Sequence, residues 1–295
     1  MLPRRHYTIP LPGRPPLQLG ARTLVMGILN VTPDSFADGG AHFDVDRAVE
    51  AGIRMAADGA DIIDIGGEST RPGAESLPED EELRRVLPVI ERLARQVQLP
   101  LSIDTYNAGV ARAAFDRGAT IINDISGLQY DAALGAVAAA TGAALILMHT
   151  RGRSSGMYDL AVYEDAGREV AGELADAIER ATRAGVSREA LIVDPGLGFA
   201  KRAEHSYEVL AGLETLTSLD RPLLAGPSRK SFLKAALGDR EPSAREWGTA
   251  AAVTASVLFG AHIVRVHGVQ AMVDVVRVAD RIRAGADPAL HLPSR

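Results

Sequence analysis

Between residues 21 and 286, short apolar runs alternate with longer stretches whose apolar positions recur every three to four residues. The short runs at 24–29, 61–65, 101–104, 120–124, 144–149, 191–194, 222–225 and 262–266 read as eight β-strands. Several are apolar without alternation, such as Leu145-Ile146-Leu147-Met148, the mark of strands buried on both faces of a parallel sheet. A segment of helical character follows each: 44–58, 79–96, 107–117, 131–141, 159–184, 203–217, 244–259 and 269–284. Asp44 and Pro78 stand at helix starts, and Gly118, Gly142 and Gly185 stand just past helix ends. Eight strand–helix units without a break in composition predict an α/β protein, a single (β/α)8 TIM barrel, with an open doubly wound sheet as the alternative. The expected organisation is an N-terminal extension at 1–20 covering the barrel floor, a barrel at 21–286 and a C-terminal tail at 287–295.

Composition narrows the function classes. A length of 295 residues suits one barrel with extensions. The absence of cysteine excludes a disulfide framework, a thiolate nucleophile and any Cys-ligated metal. With 32 basic and 38 acidic residues the net charge is −6, which argues against a nucleic-acid partner but leaves room for a local pocket for a small phosphate ester. The first 20 residues carry Arg4 and Arg5 but no apolar core, and prolines at 3, 10, 12, 15 and 16 interrupt them, so they do not read as a secretory signal. The uncharged stretch 247–264 is rich in Gly, Ala, Thr and Ser and contains His262. It reads as a buried helix running into a buried strand, so the expectation is a cytoplasmic protein without a membrane partner. Only Lys201, Lys230 and Lys234 are lysines. In so arginine-biased a chain, a retained lysine is a candidate for ammonium chemistry.

A barrel places its chemistry at the C-terminal ends of its strands. There the chain carries Asn30, Gly66-Gly67-Glu68, Asp104, Asn123-Asp124, His149, Asp194, Ser228-Arg229-Lys230 and Arg265-Val266-His267. Asp104, Asn123, Asp194 and Lys230 would converge on one apolar mouth, where buried polar groups require partners. Carboxylates accept from adjacent N–H groups, an amide both donates and accepts, and an ammonium donates to a carbonyl or ring nitrogen. That set suits a pterin or purine-like heterocycle. Arg265 and His267, with Asn30 across the mouth and backbone N–H groups near Gly66 and Gly67, suit an oxyanion such as phosphate. Neither a P-loop nor a strand-following GxGxxG is present. Plainer readings hold elsewhere: Asp124 as a helix N-cap, Glu68 and Asp38 as solvated loop charges, and His149 as a hydrogen-bonded structural histidine.

The motifs NVTPDSFADGG at 30–40, GGESTRPG at 66–73, SIDTY at 102–106, INDISG at 122–127, LMH at 147–149, DPGLGF at 194–199, SRKSF at 228–232 and RVH at 265–267 together resemble the dihydropteroate synthase family. They occur in the family's order and cover about residues 24–284. The resemblance implies a (β/α)8 barrel and a transferase of folate biosynthesis. It would join 7,8-dihydropterin-6-ylmethyl diphosphate to 4-aminobenzoate by an SN1-like displacement, with Mg²⁺ as cofactor and sulfonamides competing with aminobenzoate. It further implies that Asp104, Asn123, Met148, Asp194 and Lys230 contact the pterin, with Ile125 as a further wall. Lys230, Asp104 and Asp194 would be catalytic. Thr70, Arg265 and His267 would hold the diphosphate. Asp34, Arg71, Pro72, Phe199 and Ser231 would border the aminobenzoate slot, and Asn30 would ligate the metal. Loops 30–43 and 66–77 are expected to close over bound diphosphate. A homodimer is expected, with 247–264 as its candidate surface. Thr150, Ala200 and Gly268 depart from the family's common residues, which are Met, Gly and Asp at these places. A corrinoid-pathway pterin methyltransferase and a non-catalytic pterin-binding paralogue are the alternatives. The Asp34-Ser35-Phe36 run and Ser228-Arg229-Lys230 argue against the methyltransferase.

Overall fold

A computed structural model of the chain describes residues 4–32, 45–68, 77–154 and 156–285. It opens with a hairpin, β1 (Tyr7–Leu11) and β2 (Arg14–Leu19). There follow β3 (Leu24–Asn30), α1 (Val45–Ala57), β4 (Ile62–Gly66), α2 (Glu79–Gln96), β5 (Leu101–Asp104), α3 (Ala108–Phe115), β6 (Ile121–Asp124) and α4 (Ala133–Thr141). The second half contains β7 (Ala144–Met148), α5 (Ala166–Arg183), β8 (Leu191–Asp194), α6 (Ala203–Ala211), β9 (Leu224–Ala225), α7 (Lys234–Leu237), α8 (Glu246–Leu258), β10 (Ile263–Val266) and α9 (Val269–Gly285).

Strands β3 to β10 form one parallel sheet in the order β8-β7-β6-β5-β4-β3-β10-β9. A parallel bridge between Val193 and Leu223 joins its two ends and closes the barrel. The doubly wound alternative is thereby excluded, because an open sheet keeps two free edges. Parallel register carries Asn30 opposite Gly66, Gly66 opposite Asp104 and Asp104 opposite Asn123. The polar strand ends therefore stand level around one rim.

Every barrel strand except β3 and β10 is buried along its whole length, which accounts for the continuous apolar runs. The hairpin was not foreseen. Pro10, Pro15 and Pro16 read as breakers in sequence, yet a two-stranded ribbon with free edges tolerates proline. Its alternating residues Ile9, Leu11, Leu17 and Leu19 are buried against Met26, Ile62, Ile121 and Ile146, so it plugs the barrel floor. Helix α5 begins seven residues later than expected. The Asp165 side chain caps the Arg168 N–H, and Glu169 accepts from the N–H groups of Glu164 and Asp165, fixing the start there. The expected helix 203–217 divides at Gly212 into α6 and a 3₁₀ segment, Leu213–Leu219. Asp44 lies outside the described residues. Pro78 does precede α2, and Gly118, Gly142 and Gly185 take positive φ at their turns. The expected buried stretch 247–264 begins on an exposed residue, since Trp247 is 86 % accessible. No described helix is long and apolar enough to cross a membrane.

Candidate active site

Asp104, Asn123, Asp194, Lys230 and Arg265 line one narrow cleft at the C-terminal rim, with Ile125, Met148 and Phe199 as apolar walls. Four of the five polar groups stand at the ends of β5, β6, β8 and β10, so the barrel itself sets their spacing. Lys230 comes instead from the turn after β9. Arg229, immediately before it, has φ +59°, a strained conformation for a long side chain. That strain is held by three contacts. The Arg229 N–H donates to Thr249 Oγ1 at 2.9 Å, its carbonyl accepts from Arg245 at 2.9 Å, and its Nε donates to Glu246 at 3.1 Å. Helix α8 thus fixes the direction in which Lys230 leaves the backbone. The Lys230 Nζ lies 3.8 Å from the centre of the Phe199 ring, a cation–π contact.

The electrostatics are crowded. Arg265 donates from Nε to Asp64 and from Nη2 to Asp104, both at 2.6 Å. Asn123 donates to the same Asp64 oxygen at 3.0 Å. Asp64, fully buried inside β4, is therefore the anchor of two site residues. It had no sequence signal, because it sits within the apolar run Ile62-Ile63-Asp64-Ile65 rather than at a strand end. Its Oδ1 is buried without a partner. Arg265, read in the sequence as a phosphate contact, here joins two carboxylates through Nε and Nη2. Burial works against the guanidinium, and Asp64 and Asp104 hold it charged. Burial pushes the Asp104 carboxyl well up, with Arg265 opposing. It also raises Asp194, against the Gly196 N–H bond at 2.7 Å and the nearby Lys230 and Arg265. The Lys230 ammonium is lowered to about 8 by burial and by Arg265, while Asp194 and Asp104 resist.

The remaining expected residues fall around this cleft. Asn30 ends β3, half-buried. His267 follows β10, and its Nδ1 lies 2.9 Å from Ser228 Oγ. Ser231 is exposed, with Oγ 3.3 Å from the Tyr158 hydroxyl. Asp34, Asp38, Thr70, Arg71 and Pro72 lie outside the described residues, as do the central parts of both expected closing loops. Two plainer readings are corrected. Glu68 is not a solvated charge: it is half-buried, accepts from the Tyr106 hydroxyl at 3.0 Å, and is raised by that burial. Asp124 caps no helix; both oxygens accept from its own loop, from Ser126 and Leu128. His149 is buried and hydrogen-bonded at both ring nitrogens, in keeping with a structural role.

A larger cavity lies at the opposite end of the barrel, lined by Arg4, Arg5, Tyr7, Arg221, His262 and Arg283 among others. Its arginines hold structure. Arg4 and Arg283 donate to carbonyls at the end of α8, Arg5 pairs with Asp220, and Arg221 donates to the Arg188 carbonyl.

Residues 26–267 match the model of a family described as pterin binding enzyme. A dihydropteroate synthase of a Synechocystis species is 45% identical over 278 residues, which is 94% of this chain and 96% of the relative. Among solved structures, the dihydropteroate synthase of Xanthomonas albilineans with 4-aminobenzoic acid superposes with a TM-score of 0.88 at 43% identity, covering 95% of this chain and 99% of that one. The Yersinia pestis enzyme in a sulfonamide drug complex gives 0.87 at 41% identity, covering 94% and 99%.

Proposed function

Because the chain belongs to the dihydropteroate synthase family of pterin-binding enzymes, we propose that its cleft joins 7,8-dihydropterin-6-ylmethyl diphosphate to 4-aminobenzoate, giving 7,8-dihydropteroate and diphosphate in folate biosynthesis. The observation that carries this reading is the convergence of Asp104, Asn123, Asp194 and Lys230 in one narrow, apolar-walled slot. A flat ring with a polar edge fills such a slot: Met148, Ile125 and Phe199 cover its faces while the rim groups meet its donors and acceptors. Asp194 and Asp104 accept ring N–H groups, Asn123 pairs with an adjacent donor–acceptor edge, and Lys230 donates to a carbonyl or ring nitrogen.

Arg265 stands where the pterin pocket gives way to the diphosphate. Asp64 tethers it through Nε, and the Nη1 that neither carboxylate uses is the group open to a phosphate oxygen. His267 completes that side. The C–O bond to diphosphate breaks and its electron pair leaves with the oxygen. The electron-rich ring delocalises the positive charge left on the methylene carbon. Carboxylates at Asp104 and Asp194 stabilise that cation in a site of low dielectric. The neutral aryl amine then adds through its lone pair, and the resulting anilinium proton passes to water or diphosphate. No strong base is required, and positioning of the amine supplies much of the rate. Phe199 and Ser231 border the amine's approach. Sulfonamides, as aminobenzoate mimics, compete there.

The donor set fits Mg²⁺ in one way only. Asn30 is a neutral oxygen ligand, and no group of three acidic or histidine residues able to hold a metal occurs among the described residues. Mg²⁺ would thus arrive with the diphosphate, supply charge neutralisation to the leaving group, and keep waters elsewhere. Calorimetry should show weak Mg²⁺ binding to the protein alone and clear binding once diphosphate is added; tight binding without diphosphate contradicts this role for Asn30. We also propose a cytoplasmic homodimer that uses the face around the exposed Trp247. Diphosphate release is the test of the activity. It should require both the pterin diphosphate and aminobenzoate, and a protein that binds pterin but releases none overturns the reading in favour of a non-catalytic paralogue.

A further inference from the structure

Beneath the cleft lies a buried charged chain that the reaction above does not use. We infer that Lys201 is a positioning residue for this reaction, its ammonium holding from below the turn 195–199 that carries one wall of the cleft. The inference rests on the activity proposed above. Lys201 follows that turn and is 1% exposed. Its Nζ reaches three acceptors: the Gly196 carbonyl at 3.2 Å, the Phe199 carbonyl at 3.1 Å and His149 Nδ1 at 2.7 Å. An ammonium has three protons, and each is used.

The turn so held touches the site at both ends. The Gly196 N–H donates to Asp194 at 2.7 Å, and the Phe199 ring lies under Lys230 Nζ at 3.8 Å. Gly196 also packs so closely on the His149 carbonyl that a Cβ there would stand 2.0 Å from it. Small displacements of this turn therefore move an acceptor and an apolar wall together.

The protons can be assigned. His149 Nε2 lies 3.0 Å from a Glu173 carboxylate oxygen, which only accepts, so Nε2 carries the hydrogen and Nδ1 accepts from Lys201. Burial and Lys201 together push His149 down to about 4, which keeps it neutral. Burial pushes Glu173 up, but the bonds from His149 and Arg151 prevail and hold it at about 2. The groups that face Lys201 are His149 and Arg151 after β7, Glu173 on α5, Asp194 at the end of β8 and Lys230 after β9. Burial lowers the Lys201 ammonium to about 7, Asp194 and Glu173 support it, and Arg151 and Lys230 oppose it. Loss of its proton leaves one of the three acceptors without a donor, so the turn is held best at the acid side of that value.

Three measurements on the full-length protein test the inference. Ring ¹⁵N spectra should show His149 as the neutral Nε2–H tautomer at about pH 6; in Lys201→Met the hydrogen stays on Nε2, held by Glu173, while the Nδ1 resonance shifts as its hydrogen bond from Lys201 is lost. With folding checked by circular dichroism, Lys201→Met should lower kcat about tenfold or more, since misplacement near 1 Å is that costly. Should that variant not fold, Glu173→Gln decides. Removing this carboxylate destabilises the ammonium and should move the alkaline limb of the kcat profile down by about one unit. Lys230, which does not respond to Glu173, would leave that limb in place. An unmoved limb, an Nδ1–H tautomer, or wild-type kcat in folded Lys201→Met overturns the inference. Failure of wild-type protein to release diphosphate would instead overturn the activity, and the tautomer would still report on the chain of contacts.

Discussion

The two ends of the barrel are both buried and both charged, yet they are built to different ends. At the floor, the hairpin's apolar face seals the strands, and the cations there meet fixed partners. Arg4 pairs with Asp280 and donates to Val257, and His262 is bonded to backbone at both nitrogens, Nδ1 to the Leu223 N–H and Nε2 to the Arg5 carbonyl. At the mouth, side chains from separate strands meet mainly one another: Asp64, Asp104 and Asn123 around Arg265, with Lys230 resting on an aromatic face. Such side-chain pairings can be exchanged for a ligand's groups, whereas the floor's backbone bonds cannot be exchanged without unravelling a helix end. Location on the rim is therefore only half of what distinguishes a site; the other half is what its charges are bonded to.

The comparison breaks most readily at Lys230. Lys230→Ala should reduce turnover by about 10²–10³-fold, the usual cost of removing one donor aimed at a reacting group, and leave the melting transition near that of the parent. Parent-like diphosphate release in this variant would remove Lys230 from the site. The floor should answer in the opposite sense. Arg4→Ala leaves Asp280 without its buried cation and should cost about 3 kcal/mol in urea unfolding, with turnover per folded molecule unchanged. A large loss of turnover in the folded variant would mean that the two ends are coupled. Acid stability sharpens the contrast further. Burial, with Arg4 nearby, pushes His262 from 6.5 down to about 3, so the unfolded chain takes up a proton that the folded one refuses. The stability this histidine confers is complete above about pH 6.5 and is lost as pH falls through that interval towards about 3. His262→Gln should flatten the stability profile across the interval, and a variant as steep as the parent would reassign the dependence to His149, which has the same sign.

Much of the site was legible because its residues stand at strand ends. Asp104, Asn123, Asp194 and Arg265 each close an apolar run, and a barrel gathers all such ends on one rim. Asp64 was invisible for the complementary reason, since a carboxylate in mid-strand announces nothing until its partner is known. That partner, Arg265, lies 201 residues away. The Glu68–Tyr106 bond, 38 residues apart, and the grip of α8 on Arg229 were hidden in the same way.

Local pattern by itself determined the eight strands, their parallel character and the alternation with helices, because period and continuous burial are properties of neighbouring residues, while closure into a barrel rests on the Val193–Leu223 bridge. It also determined which residue types would meet at the rim. Only the tertiary structure decided which of them bond. It made a proline-interrupted terminus into a hairpin, since its alternating side chains gain burial only against a barrel floor. It turned Arg265 towards two carboxylates, and it placed Lys201 beneath the turn at its back. A buried charge settles where the summed field of distant groups satisfies it, and that field exists only after the barrel has closed.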